Sequence, residues 1–114
     1  MTIKVNPELE ETFRKYGFKS GFLKIAILKF VSKGPTHGYA LMKDIQKVTE
    51  EDWKPSPGSM YPALQELEAE GFIESTSKGR RRLYKITPLG EEALKVAIEH
   101  ADRALKHLNR ILAA

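Results

Sequence analysis

Apolar positions recur along this chain with a helical period up to residue 71 and with a strand period just after it. Four apolar-periodic stretches, bounded by Pro, Gly or short polar side chains, predict helices over about 7–17, 20–33, 36–48 and 57–70. The second helix, with Ser20 as its expected cap, has the broadest apolar face and is predicted to be the central core helix. That face consists of Phe22, Leu23, Ala26, Ile27, Phe30 and Val31.

The next two helices are predicted from narrower apolar stripes. The third, which should be half exposed, carries Tyr39, Leu41, Ile45 and Val48. The fourth follows a Pro-rich loop and has two candidate N-caps, because either Ser56 or Ser59 can accept from the first free N–H groups. Capping by Ser56 places Pro62 in the second turn and implies a distortion, whereas capping by Ser59 places it in the tolerant first turn. The sequence leaves both starts open.

After Gly71, two short runs rich in β-branched and aromatic residues, 72–76 and 82–87, flank a turn that contains Gly79. They predict a β-hairpin. Three helices followed by a hairpin are the element order of a winged helix-turn-helix, in which the third helix and the hairpin, or wing, face DNA. The predicted fold class is therefore mainly α with a small β-hairpin: a winged helix-turn-helix followed by a long C-terminal helix.

The last predicted helix starts at a Thr87 cap and is about 40 Å long. Its apolar heptad seam consists of Leu94, Ile98, Ala101, Leu105, Leu108 and Leu112. A chain of 114 residues is one domain's worth of protein and offers no internal partner of that length. We therefore expect a homodimer built through this helix, with Leu9 and Phe13 included in the interface. Residues 1–87 form the predicted DNA-binding domain, and 88–114 form the dimerisation helix.

The positive charge of the chain is concentrated in one segment. The net charge is +4, and 78–85 carries five positive charges and no acid, so the rest of the chain sums to −1. A concentrated cluster creates a local field that attracts a polyanion, which diffuse basic character does not. The cluster lies at the predicted hairpin tip and is the first indication of nucleic-acid binding.

The predicted DNA contacts come from the fourth helix, the hairpin tip and nearby lysines. The helix has no Lys or Arg, and its acids Glu66, Glu68 and Glu70 lie in its second half and are predicted to face away from DNA. Its first turn offers hydroxyls and free N–H groups at the positive end of the helix dipole. Arginine side chains at the hairpin tip bind phosphate oxygens in pairs. The predicted set is Lys43, Lys54, Ser56, Gly58, Ser59, Tyr61, Lys78, Arg80, Arg81 and Arg82.

Several other function classes are excluded by what the sequence lacks. It has no Cys, which removes disulfides, thiolate zinc sites, iron–sulfur clusters and cysteine nucleophiles. It has no Gly-rich phosphate loop or nucleophile elbow, and the seven-residue spacing of His100 and His107 does not suit chelation within one helix. We therefore predict no enzyme activity, no catalytic residue, no metal and no cofactor. His37 is expected to make a structural hydrogen bond at a helix start, and Trp53 to anchor its loop by packing.

The overall composition is that of a folded domain, with 41% hydrophobic and 30% charged residues. No apolar run reaches the roughly 18 residues needed to span a bilayer, and no signal-peptide core follows the start. We therefore expect a cytoplasmic protein that has no membrane partner.

Four stretches of the sequence resemble the PadR family of winged-helix transcriptional regulators, in particular its short members with one C-terminal helix. They are PTHGY at 35–39, WKPSPGSMYPAL at 53–64, LEAEGFI at 67–73 and GRRRLYKIT at 79–87. The Ser-Pro-Gly-x-x-Tyr-Pro-x-Leu string in the second stretch is far more specific than helix-turn-helix periodicity. The resemblance implies a homodimer that binds DNA through 56–61 and the wing, and repression that is relieved by a small ligand bound between the subunits.

The predicted function is a dimeric, sequence-specific DNA-binding transcriptional repressor that responds to a small molecule and binds a pseudo-palindromic operator. Two alternatives stay open. If the chain is instead a winged-helix protein-interaction module, its hairpin docks an acidic protein and it binds no specific DNA. The Leu and Ala spacing of the last helix is equally consistent with a closed coiled coil and with a gap that admits an apolar effector.

Overall fold

A computed structural model describes residues 19–114 and the single position Pro7. Within 19–114 the chain forms four α-helices and one two-stranded antiparallel hairpin. The elements are α1 (Lys19–Ser32), α2 (Gly38–Val48), α3 (Pro57–Ala69), β1 (Ile73–Lys78), β2 (Arg81–Ile86) and α4 (Pro88–Ala113). The predicted fold class, a winged helix-turn-helix with a long C-terminal helix, is confirmed. The predicted first helix, with Leu9 and Phe13, lies outside the described residues.

Helix α1, which corresponds to the second predicted helix, is the central helix of the core, as predicted. Its buried side chains are Leu23, Ile27, Leu28 and Val31. Two details differ from the prediction. Ser20 is already helical and is therefore not the N-cap. Phe22 is 48% exposed, because at about 100° per residue it lies on the opposite side of the helix from the buried residues Ile27 and Val31.

Helix α2 starts at Gly38, and the predicted structural hydrogen bond of His37 is confirmed. The Nδ1 atom of His37 accepts from the Ala40 N–H at 3.3 Å, so this imidazole is the N-cap of α2. The buried stripe is narrower than predicted and consists of Leu41, Met42 and Ile45. Tyr39 and Val48, which were predicted to belong to it, are exposed, because the core contacts only the face around these three residues.

The open question about the start of α3 is resolved in favour of Ser56. The Ser56 hydroxyl accepts from the Ser59 N–H at 3.2 Å, and Pro57 is the first helical residue. Pro62 therefore lies in the second turn, yet the helix continues to Ala69. The N–H that Pro62 lacks would have bonded to the carbonyl of Gly58 in the exposed first turn, where water can replace the donor.

The wing consists of residues 73–86. Its strand β2 makes backbone hydrogen bonds along both of its edges. Strands β1 and β2 pair in a register that runs from Ile73↔Ile86 to Lys78↔Arg81. Gly79 has a φ of +62° and the next residue does not have a positive φ, which is the pattern of a type II′ turn. On the other side of β2, the N–H groups of Thr36 and Tyr84 each donate to the other residue's carbonyl, at 3.0 and 2.7 Å. The wing is thereby attached to the segment that leads into α2.

Helix α4 starts on the core and then leaves it. The Thr87 hydroxyl accepts from the Gly90 N–H at 3.0 Å and donates to the Gly71 carbonyl at 2.6 Å, which ties the helix start to the end of α3. Gly90 and Leu94 are buried, whereas every residue from 102 onwards is exposed. In the described part of the chain, no helix combines the length and the apolar character that crossing a bilayer requires.

Candidate nucleic-acid interface

A groove of about 520 Å³ lies between the amino end of α2, the middle of α3 and the tip of the wing. We refer to it as the wing groove. Its lining combines three arginines with three tyrosines, a histidine and an acid. The lining residues are His37, Gly38, Tyr39, Tyr61, Gln65, Glu68, Arg80, Arg81, Arg82 and Tyr84.

Backbone pairing and one glycine bring the walls of the wing groove together. The bridge between Thr36 and Tyr84 fixes the start of α2 beside β2. Gly38 lets α3 approach that start closely, since a Cβ atom at this position would lie 2.8 Å from Cε1 of Tyr61 and 3.1 Å from its hydroxyl oxygen. The aromatic ring of Tyr61 therefore lies against the start of α2, and its position depends on the missing side chain.

The wing arginines differ in what they contact. Arg82 donates from Nη1 to the Ser75 hydroxyl at 2.9 Å, and that hydroxyl donates to Oε2 of Glu68 at 2.6 Å. Arg82 is thus connected to α3 through β1. Nη1 of Arg81 lies 3.4 Å from Nε2 of His37, the N-cap of α2. Arg80 occupies the turn itself and is exposed. The wing therefore approaches the helices with its guanidinium groups facing into the groove.

The acids of α3 are divided between two faces, which partly corrects the prediction. Glu66 and Glu70 face α1, where Nζ of Lys24 lies 2.7 Å from Glu66 and 4.0 Å from Glu70. The hydrogen bond to Glu66 raises the pKa of Lys24 above its ordinary value. Glu68 does not face away from the groove but lines it. The reason is its hydrogen bond with Ser75 of the wing, which holds the carboxylate on that side.

Not every residue of the predicted DNA-contacting set lines the wing groove. Tyr61, Arg80, Arg81 and Arg82 do; the exposed residues Lys43, Lys54, Ser56, Gly58, Ser59 and Lys78 do not. The hydroxyl of Ser56 is engaged in capping α3. Nζ of Lys43 lies 5.1 Å from the centre of the Tyr39 ring, which places this lysine at the edge of the groove. The role of these residues in DNA binding stays a prediction.

Sequence reasoning assigned no part in the site to several groove residues. Gln65 and Glu68 follow Tyr61 at spacings of 4 and 3, so helical periodicity would have placed them on the same face. His37 and Tyr39 carry no such signal, because the bridge between Thr36 and Tyr84 that brings them to the wing is a long-range contact. The cationic wing and α3 were expected to lie side by side, and the structure brings both to one groove.

The predicted dimerisation residues of α4 fall into two groups. Leu94 is 8% exposed and belongs to the core of the chain, so little of its surface is left for a partner chain, and its part in dimerisation stays a prediction. Ala101 is half-buried. The other predicted residues, Ile98, Leu105, Leu108 and Leu112, are 42 to 74% exposed. The exposed apolar part of the seam therefore begins at Ile98.

Comparison with known proteins supports the resemblance seen in the sequence. Transcriptional regulator Rv3488 of Mycobacterium tuberculosis is 33% identical over 97 residues, covering 82% of this chain and 84% of the relative. Transcriptional regulator YqjI of Escherichia coli is 32% identical over 90 residues, covering 78% of this chain and 44% of the relative. The chain thus spans less than half the length of that relative. A solved transcriptional regulator from Clostridium thermocellum has a TM-score of 0.76 at 27% identity, covering 88% of this chain and 96% of that one.

The family match is extensive. The Transcriptional regulator PadR-like family matches residues 27–96, which include the last part of α1, all of α2, α3 and the wing, and the first turns of α4. The wing groove lies entirely within this range. The family is one of transcriptional regulators and not of enzymes. The chain therefore belongs to the PadR-like family of transcriptional regulators.

Proposed function

We propose that this protein is a homodimeric, sequence-specific DNA-binding repressor that releases its operator when it binds a small molecule. The observation that carries the proposal is the wing groove, in which Arg80, Arg81 and Arg82 face Tyr61 of the helix that a winged helix-turn-helix presents to DNA. Duplex DNA carries one negative charge per roughly 1.7 Å of its axis. One guanidinium group can donate two parallel hydrogen bonds to the oxygens of a single phosphate. A groove lined on one side by arginines suits such a backbone.

In the proposed complex, α3 and the wing have different tasks. The first turns of α3, with Ser56, Gly58, Ser59 and Tyr61, enter the major groove and set the preference among sequences. The wing contacts the sugar–phosphate backbone and the minor groove, and supplies affinity that depends little on sequence. The more distant cations of the predicted set contact flanking phosphates: Lys43, Lys54 and Lys78.

Two subunits are proposed to pair through the exposed stripe of α4. This stripe is the part of the heptad seam that is exposed in a single subunit, and it consists of Ile98, Leu105, Leu108 and Leu112. In this arrangement 1–87 bind DNA and 88–114 form the dimerisation helix. A two-fold axis between the helices duplicates the wing groove, so the proposed operator is pseudo-palindromic with half-sites about 34 Å apart.

The proposed effector enters between the two α4 helices. Between 88 and 113 the sequence has no Phe, Tyr or Trp, so a ligand there is held by aliphatic side chains and not by ring stacking within this helix. We therefore expect an apolar small molecule that spreads the helices and changes the distance between the two wing grooves. A compound of this class should raise the melting temperature of the protein and release operator DNA in the same concentration range.

The central experiment selects genomic fragments that the protein binds, footprints them, and measures affinity for operator and random duplex against salt. We expect operator binding at least about a thousandfold tighter than random binding. Arg80→Ala with Arg81→Ala should weaken binding to both duplexes. The log–log salt slope should become shallower by about 0.9 for each phosphate that the variant no longer neutralises.

The matched control is Arg103→Ala with Arg110→Ala, which removes the same charge from exposed positions of α4 that share one helix face and lie outside the heptad seam. Its salt slope should equal that of the wild type. An unchanged slope in the wing variant would contradict the proposed role of the wing. No duplex binding even at low salt would favour the protein-interaction module instead.

A further inference from the structure

We propose that His37 and Arg81 form a phosphate-binding pair, in which the imidazole Nε2–H and the guanidinium donate to the same DNA phosphate. This inference rests on the proposed DNA binding and adds to it a residue, His37, that the predicted DNA-contacting set does not contain. The two side chains come from different parts of the fold, the amino end of α2 and the wing, and both line the wing groove.

The capping hydrogen bond of His37 determines which ring nitrogen carries the proton. Nδ1 accepts from the Ala40 N–H at 3.3 Å, so its lone pair is occupied and it carries no hydrogen. A neutral imidazole has one N–H, which must then be on Nε2. In the capped helix, Nε2 is therefore a donor and not an acceptor.

With Nε2 as a donor, His37 cannot accept a hydrogen bond from Arg81 of the wing. Nη1 of Arg81 lies 3.4 Å from Nε2 of His37, but a guanidinium nitrogen is also only a donor. The two groups cannot satisfy each other, and they present two N–H donors, one of them cationic, to the same small region of the groove. An acceptor oxygen that approaches both would complete the arrangement.

The chemistry favours a phosphate oxygen as that acceptor. The carboxylate of Glu68 also lines the groove, but it accepts from the Ser75 hydroxyl at 2.6 Å, and the described residues show no ion pair between it and Arg81. A phosphodiester has two unesterified oxygens and one negative charge, which suits a guanidinium beside a neutral N–H donor. His37 directly follows Thr36, whose backbone is paired with Tyr84 of the wing, so the two donors are held together by main-chain hydrogen bonds. The shared phosphate would fix the wing and α2 on one DNA strand.

The test uses variants that keep the cap and remove the second donor. Ser and Asn are strong N-caps, so His37→Ser and His37→Asn preserve the hydrogen bond to Ala40 without placing an N–H where Nε2 lies. We expect each variant to raise the operator Kd by about tenfold or more, because a hydrogen bond to a charged group is removed. Their melting temperatures and salt slopes should stay at the wild-type values, since a neutral donor releases no counterion.

Arg81→Ala is the comparison that removes a cation from the same pair. It should lower affinity and also make the salt slope shallower by about 0.9 for each phosphate left without its cation. Unchanged affinity in both His37 variants, with normal operator binding by the wild type, would overturn the inference and leave the proposed function intact. A fall in melting temperature that parallels the decrease in affinity in both variants would assign His37 a structural role and also overturn it. Failure of the wild type to bind DNA would contradict the proposed function itself.

A final measurement separates a DNA phosphate from a free anion. The Nε2 resonance of ¹⁵N-labelled His37 should shift on addition of operator duplex while Nδ1 keeps the signal of an unprotonated, hydrogen-bonded nitrogen. Inorganic phosphate at the same phosphate concentration should leave it nearly unchanged. An equal shift with inorganic phosphate, or a proton located on Nδ1, would overturn the assignment of this pair to the DNA backbone.

Discussion

The lack of a side chain at Gly38 leaves the space in which the Tyr61 ring lies at the wall of the wing groove. Any Cβ at Gly38 would lie within 3.1 Å of three atoms of the Tyr61 side chain. Tyr61 is 44% exposed and its ring can rotate away, so the fold would survive but the wall of the groove would change. The position of Tyr61 is therefore a sensitive link between α2 and α3.

Gly38→Ala should separate DNA binding from stability. We expect operator affinity to fall by about fivefold, the equivalent of one hydrogen bond of about 1 kcal/mol, because Tyr61 is displaced. The free energy of unfolding should change by less than about 1 kcal/mol, since Ala is the better helix former. Gly21→Ala is the matched control, as nothing lies within 4 Å of its added Cβ. Equal affinities for the two variants would contradict a role for Tyr61.

Tyr84 connects the wing to the core and makes stability sensitive to alkaline pH. Its side chain is buried, and burial raises the pKa of its hydroxyl above the ordinary value. The folded chain therefore keeps this proton at a pH at which the unfolded chain has released it. Stability is then fully present below the unfolded pKa of about 10 and declines as the pH rises above it.

Tyr84→Phe removes this group and should flatten that decline. The measurement is the free energy of urea unfolding from about pH 8 to about 11.5, a range that spans the ordinary pKa of tyrosine. Lys24, whose pKa is also raised, contributes a decline in the same direction to both proteins, so the difference between the two curves isolates Tyr84. Curves that run parallel across this range would show that Tyr84 does not titrate differently in the folded state.

The ends of the helices and the turn of the wing could be predicted because they depend on a few neighbouring residues. A Ser or Thr followed by Pro marks the start of a helix, and both Ser56 with Pro57 and Thr87 with Pro88 are observed in that role. Gly79 permits the positive φ of the wing turn. The choice between Ser56 and Ser59 as the cap was also a local question. A start at Ser56 is tolerated because the carbonyl that loses its donor at Pro62 belongs to Gly58, in an exposed turn.

The buried faces of the helices were predicted less well than their ends. Phe22, Tyr39 and Val48 were assigned to apolar stripes but are exposed, at 48, 53 and 66%. Helical periodicity identifies an apolar side, whereas the neighbouring elements determine which part of that side they cover. Helix α2 packs through a narrow face because the neighbouring helices cover it only around Leu41, Met42 and Ile45.

Helix α4 shows how one heptad pattern can serve two kinds of contact. Its first turns approach the residue that precedes the wing so closely that a Cβ at Gly90 would overlap the Phe72 carbonyl oxygen. Leu94 belongs to the core, whereas Leu105 and Leu112, farther along the same seam, are exposed. The pattern of residues is the same throughout. The point at which the helix leaves the subunit depends on how far the rest of the domain extends.

The assembled molecule is proposed to require a second copy of the chain, and Leu105→Glu with Leu108→Glu tests this. Both side chains are exposed, so the subunit should stay folded, but two carboxylates would be buried at the proposed interface. We expect a monomer by light scattering at concentrations where the wild type is a dimer. Operator affinity should fall by about a hundredfold or more, because the second DNA-binding domain is no longer tethered to the first.

The charge-matched control is His100→Glu with His107→Glu, which changes exposed positions outside the seam. This variant should remain dimeric and bind the operator. A dimeric Leu105 and Leu108 variant would show that the subunits pair through another surface. A monomeric one that keeps full operator affinity would show that pairing is not needed for recognition.

The amino-acid order alone was sufficient for the element sequence, the caps, the hairpin, the cationic tip and the apolar seam, and for membership of the PadR-like family. Each of these depends on residues close together in the chain or on a linear motif. The wing groove required the folded subunit, since it is formed where the bridge between Thr36 and Tyr84 and the contact between Gly38 and Tyr61 bring distant segments together. The inclusion of His37 in the groove, and of Leu94 in the core, follows from such long-range packing, whose partners no local pattern of residues specifies.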